Sequence, residues 1–75
     1  MRISHHAKQR LLERVFGIED VDDKRSLMLA AKILNDNSSH LEGMGNQIVP
    51  LVGFTGVSLQ IRNETVTTVL INKGR

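Results

Sequence analysis

A chain of 75 residues, 40% of them hydrophobic and 24% charged, has room for one small core, and its mixed charges exclude a disordered tail. It holds no cysteine, which excludes disulfides, thiolate nucleophiles and cysteine-built zinc sites. A formal charge of only +2 and an aromatic content of 3%, with no Trp or Tyr, exclude a base-stacking platform and define no nucleic-acid protein by charge alone.

In chain order, Arg2-Ile3-Ser4 has the length of a short strand or arm, and Ser4 is placed to cap a helix starting at His5. Ala7, Leu11, Leu12, Val15 and Phe16 form its apolar stripe, and Gly17 ends it. His6, Arg10, Glu13 and Arg14 lie opposite. At about 100° per residue, His6, Arg10 and Glu13 fall within roughly 60° of one another, on one face. His5 falls near Leu12 and Phe16 on the same wheel, which predicts a packing histidine at the edge of the core.

Lys8, Arg10 and Arg14 gather with Arg2, whereas Glu19, Asp20, Asp22 and Asp23 crowd the next turn, giving a dipolar surface. Asp20 is the expected cap of a second helix, with Asp22 and Asp23 in its first turn, where carboxylates oppose the positive end of the helix dipole. The stretch SLMLAAKIL is apolar nearly all round and predicts a helix packed on more than one side, stopped by Asn35-Asp36-Asn37. The aperiodic segment from Asn35 to Asn46 reads as a long loop, a candidate functional or mobile element. His40 within it is expected to be exposed, and becomes catalytic only if the loop folds over a site.

From Gln47 the pattern is β. Pro50 interrupts QIVPLVGF and predicts an edge position or a bulge. VSLQIR and TVTTVLIN flank Asn63-Glu64 as a hairpin. With Arg62 opposite Thr65, the face covering the helices would hold Val57, Leu59, Ile61, Val66, Thr68 and Leu70. Ser58, Gln60, Arg62, Thr65 and Thr67 would form a polar face. The expected architecture is a single α+β domain, residues 1–75, with two N-terminal helices packed on a three- to four-stranded antiparallel sheet. No segment reads as a membrane span or as the apolar core of a signal peptide, so the expected compartment is the cytoplasm.

Three chemical readings follow. His6 can move a proton near neutral pH, Arg10 can hold a phosphate through two parallel hydrogen bonds, and Glu13 can orient the imidazole or act as a base. Together they are the expected catalytic set for metal-free RNA cleavage, and spaced ion pairs on a solvated face are the plainer account of the same residues. Lys8, Arg14 and Arg62 are candidate phosphate contacts, and Asp22 and Asp23 a candidate partner-binding turn. The histidine spacing supplies no metal site, and Gly43, Gly45, Gly53 and Gly56 match no phosphate loop, so no cofactor is expected.

His6-Ala7-x-x-Arg10-x-x-Glu13-Arg14, followed by a helix and a final strand with Asn63, Val66, Thr68, Val69 and Leu70, resembles small bacterial and phage proteins of the H-A-x-x-R-x-x-E-R type. Those look related to the RelE and barnase-like ribonuclease toxins. The resemblance covers the first helix and the last hairpin. It implies a compact α+β fold, His6, Arg10 and Glu13 as the site, Arg14 or Arg62 as a further phosphate contact, and RNA or an antitoxin as partner. The chain departs from the toxins in lacking the C-terminal Tyr or His that many of them use. Two other readings stay open: a non-catalytic phage-type protein that binds a host protein, and a homodimer that gains core by pairing.

Overall fold

The chain opens with a strand and only then turns into helices. The computed structural model describes residues 1–71, so Asn72, at the end of the expected last strand, lies outside the described residues. Strand β1 (Arg2–Ile3) leads through Ser4 into α1 (His5–Arg10). The Ser4 hydroxyl accepts the Ala7 N–H at 3.0 Å and donates to the Thr67 carbonyl at 3.0 Å, so one side chain both caps the helix and ties it to the sheet. The helix then widens into a π turn (Leu11–Val15), closed by the Phe16 N–H on the Leu11 carbonyl at 3.3 Å. The wider turn brings adjacent Leu11 and Leu12 into the core together and carries Phe16 out of the stripe. Phe16 instead meets Phe54 edge-to-face, with ring centroids 5.6 Å apart. Gly17, at φ +66°, ends the segment, and the Ile18 N–H closes on the Leu12 carbonyl at 2.9 Å.

Helix α2 (Lys24–Asp36) is capped by Asp23, not by Asp20 as expected. Asp20 serves the preceding turn, where its Oδ1 accepts the Asp22 N–H at 3.2 Å. The helix buries one side only, through Ala30 and Leu34, and leaves Met28 at 72% and Leu29 at 51% exposure, against the expectation of packing on more than one side.

The segment after α2 is held at several points and is not the free loop its composition predicts. Ser38 is buried, and its hydroxyl donates to the Leu34 carbonyl at 2.7 Å ahead of a 3₁₀ turn (Ser39–Leu41). Asn37 donates to the Ile33 carbonyl at 2.8 Å and accepts the Val52 N–H at 3.1 Å. The Gly43 N–H reaches the Glu64 carboxylate at 3.1 Å, and Asn46 Oδ1 accepts the Asn63 N–H at 3.0 Å.

Strands β2 (Gln47–Pro50), β3 (Val57–Arg62) and β4 (Thr65–Ile71) complete a four-stranded sheet of order β1-β4-β3-β2. The sheet is mixed, since β1 runs parallel to β4, with Arg2 opposite Thr65 and Ile3 opposite Val66, while the other pairs are antiparallel. A parallel pair needs a long connection, and here everything between Ser4 and Glu64 supplies it. Pro50 sits on the edge strand opposite Ser58, where its missing N–H removes no ladder bond that β3 requires.

The hairpin starts in the expected register, Arg62 opposite Thr65 and Ile61 opposite Val66, and then slips. Gln60 faces Thr68, so Thr67 is an extra residue, a bulge held by its hydroxyl on the Gln60 carbonyl and side-chain oxygen, each at 3.2 Å. Beyond it the faces exchange: Val69 is buried and Ile71 packs against the core, whereas Thr68 and Leu70 leave the helix-facing side. Ala7, Leu11 and Leu12 from the first helical segment and Ala30 and Leu34 from α2 meet Leu59, Ile61, Val66 and Val69 in one cluster. Both helices therefore cover the same side of the sheet.

Candidate functional site

His6, Arg10 and Glu13 come together along the outer side of the first helical segment. Arg10 Nε donates to His6 Nε2 at 3.3 Å, and Arg10 Nη1 lies 3.7 Å from Glu13 Oε1. The guanidinium is the centre of the set, with the imidazole on one side and the carboxylate on the other. His6 Nε2 is the acceptor in this contact, so its lone pair is directed at Arg10. Glu13 touches Arg10 and, at 3.9 Å, Arg14 Nε, so the carboxylate holds arginines and does not orient the imidazole. Arg10 ends the α-helical part and Glu13 follows in the π turn, still three residues on along the same side.

The other expected contacts are scattered. Arg62 is exposed on the sheet face away from the helices, beside Thr65 and in the same row as Arg2, so it does not join Arg10. It lines a shallow depression with Asn46, Ile48 and Gln60. Lys8 is half-buried on α1, and His40 is exposed in the 3₁₀ turn after α2. Glu19, Asp20, Asp22 and Asp23 of the acidic turn are all exposed, and Asp23 is engaged as a helix cap.

His5 is not the packing histidine the wheel predicts. It is exposed, and its Nε2 lies 3.4 Å from Asp22 Oδ1. The same oxygen accepts Gln9 Nε2 at 2.9 Å. A wheel drawn at a constant 100° per residue placed His5 beside Leu12 and Phe16, but the π turn rotates those two residues away from it. Two neighbouring histidines thus have different partners, His5 a carboxylate and His6 a guanidinium. The sequence held one hint of this, the acidic turn just after the helix, but nothing in it singled out Gln9.

No helix among the described residues is long and apolar enough to cross a membrane. No protein-family model matches the chain, and neither does any curated protein or solved structure.

Proposed function

We propose that the His6–Arg10–Glu13 face binds an RNA phosphate and cleaves the adjoining bond without a metal. The observation that carries this reading is the 3.3 Å contact between Arg10 Nε and His6 Nε2, which joins a phosphate-binding fork to a nitrogen able to accept a proton. A phosphodiester docking on Arg10 draws the guanidinium to its own oxygens and frees His6 Nε2. That nitrogen takes the proton of the ribose 2′-hydroxyl as the 2′-oxygen attacks phosphorus. The bond to the 5′-oxygen breaks, the departing oxygen takes up a proton, and a 2′,3′-cyclic phosphate remains. Arg10 faces the charge that grows on the non-bridging oxygens, and Glu13 keeps Arg10 at the helix surface until the phosphate arrives.

Incubation of the purified protein with total RNA in EDTA, beside the double variant His6→Ala/Arg10→Ala, tests the reading. Cleavage by the unaltered chain alone, leaving cyclic phosphate ends, is expected. Cleavage that persists in the double variant, or its absence from both, overturns it.

A second reading has one observation in its favour. Met28 and Leu29 stand exposed on α2, an apolar pair suited to contact with another protein, a host protein or a second copy of the chain. Capture of one stoichiometric protein from bacterial lysate, or a dimeric mass at micromolar concentration, separates these from the enzyme.

A further inference from the structure

We propose that the sheet face turned away from the helices binds the phosphodiester backbone of a single-stranded RNA through Arg2 and Arg62. This surface lies across the sheet from the helical segment that carries His6 and Arg10, and it stands or falls apart from the cleavage reading.

Strand pairing sets the arrangement. Arg2 of β1 and Arg62 of β3 both lie opposite Thr65 of β4, so the three form one row across three strands. Their chain neighbours Ile3, Ile61 and Val66 all pack in the core, which sends Arg2, Arg62 and Thr65 to the other side. At about 4.8 Å from strand to strand, the two arginines start about 10 Å apart with a threonine between them.

Both arginines are exposed, and neither meets a carboxylate among the described residues, whereas Arg10 and Arg14 share Glu13 and Lys32 pairs with Asp36. Glu64, two residues beyond Arg62, accepts the Gly43 N–H, and Glu42 holds the Met1 amino group next to Arg2. The other residues paired across this face, Ile48, Pro50, Ser58, Gln60, Thr68 and Leu70, are uncharged. Two cations without a local anion keep their attraction for one that arrives from solution.

The depression beside Arg62 adds side-chain donors. The Asn46 side-chain oxygen accepts the Asn63 N–H at 3.0 Å, and that of Gln60 accepts the Thr67 hydroxyl at 3.2 Å. Each amide thus has its oxygen engaged within the protein and its NH2 end left over. An acceptor-rich ligand suits these groups, and Ile48, 62% exposed in the same depression, offers an apolar surface to a ribose or base. Repeated anions separated by uncharged, acceptor-bearing units are the pattern of an RNA strand. The chain has no Trp or Tyr, so the contact is to backbone and base edges and not by stacking.

The test starts from the double variant His6→Ala/Arg10→Ala, which lacks the cleavage residues and keeps the sheet. A fluorescein-labelled uridine decamer is titrated by anisotropy at several salt concentrations. Adding Arg2→Gln or Arg62→Gln is expected to weaken binding about tenfold and to lower the slope of log K against log salt by about 0.7 each. Arg25→Gln removes the same charge from an exposed site on α2 and should leave both quantities nearly unchanged. Asn46→Asp keeps the oxygen that holds the Asn63 N–H and turns the free NH2 into a second carboxylate oxygen, so binding should fall about tenfold with the melting temperature kept. Unchanged binding in Arg2→Gln or Arg62→Gln, an equal loss in Arg25→Gln, displacement by polyglutamate as readily as by unlabelled RNA, or no binding at all overturns the proposal. Cleavage is scored separately on the unaltered chain in EDTA, so either reading can fail alone.

Discussion

Asp23 Oδ2 accepts two hydrogen bonds from Ser26, one from the backbone N–H and one from the hydroxyl, each 3.0 Å long. Asp23→Ala leaves the first turn of α2 without its cap and is expected to lower the unfolding free energy by about 1 kcal/mol. For a domain of this size that is a fall in Tm of roughly 4–8 °C. Asp23→Ser should recover most of the loss in the same thermal melt. A melt unchanged by Asp23→Ala would mean that α2 is held by its packed side alone. The cap also alters how the acidic turn can be probed for partner binding: reversing the charge of Asp23 damages the helix, and reversing that of Asp22 also breaks its contacts with Gln9 and His5.

Glu64 occupies the second position of a two-residue hairpin turn at φ +61°, after Asn63 at φ +53°. Such turns require positive φ at both positions, which Asn tolerates well and a longer side chain does not, at a cost of roughly 1–2 kcal/mol. The carboxylate offsets part of this by accepting the Gly43 N–H. In Glu64→Gly the relief of strain and the lost hydrogen bond oppose each other, so global stability should move by less than about 1 kcal/mol. Amide exchange at Gly43, in contrast, should accelerate. Unchanged protection at Gly43 would show that its amide does not depend on Glu64.

Leu59 is fully buried at the centre of β3, whereas Met28 is 72% exposed on α2. Leu59→Ala removes packed methyl groups and leaves a cavity, costing about 2–5 kcal/mol in urea unfolding. Met28→Ala should stay within about 0.5 kcal/mol. A Met28→Ala cost that grows with protein concentration would reveal that a second copy covers that helix face.

Glu13 lies against Arg10 and Arg14 but does not reach His6. On the proposed ribonuclease reading, Glu13→Gln removes a carboxylate that would compete with phosphate for Arg10, so KM for RNA is expected to fall while kcat is kept. A kcat loss as deep as that of His6→Ala would show that Glu13 takes part in the chemical step and does more than hold Arg10.

Where the sequence could be read, local chemistry and tertiary structure agree. Ser4 and Gly17 bound the first helical segment as their cap chemistry predicts, and Pro50 lies on an edge strand. Two features escaped because a strict period was assumed. The π turn breaks the helical wheel after Arg10, which misplaced His5, and the Thr67 bulge breaks the two-residue alternation of β4, which misassigned Thr68 and Leu70. The run Val69-Leu70-Ile71 is apolar in either phase, so alternation alone could not reveal the slip. By sequence alone Asp20 and Asp23 satisfy the same cap rule. The structure distinguishes them, since the Ser26 N–H and hydroxyl both donate to Asp23. The meeting of His6, Arg10 and Glu13 was legible from spacing, whereas the Asp22–Gln9–His5 contact depends on how the turn after Gly17 folds back.

The pairing of Arg2 and Ile3 with Thr65 and Val66 joins segments separated by nearly the whole described chain. During synthesis the first helical segment emerges long before β4 exists, so Leu11 and Leu12 lack Val66 and Val69 of their core cluster until that strand is made. Helix formation is fast and local, but closing so long a loop carries an entropy that only the finished sheet repays. The core is therefore complete only when β4 docks between β1 and β3, and until then the nascent chain exposes leucines that later belong to it.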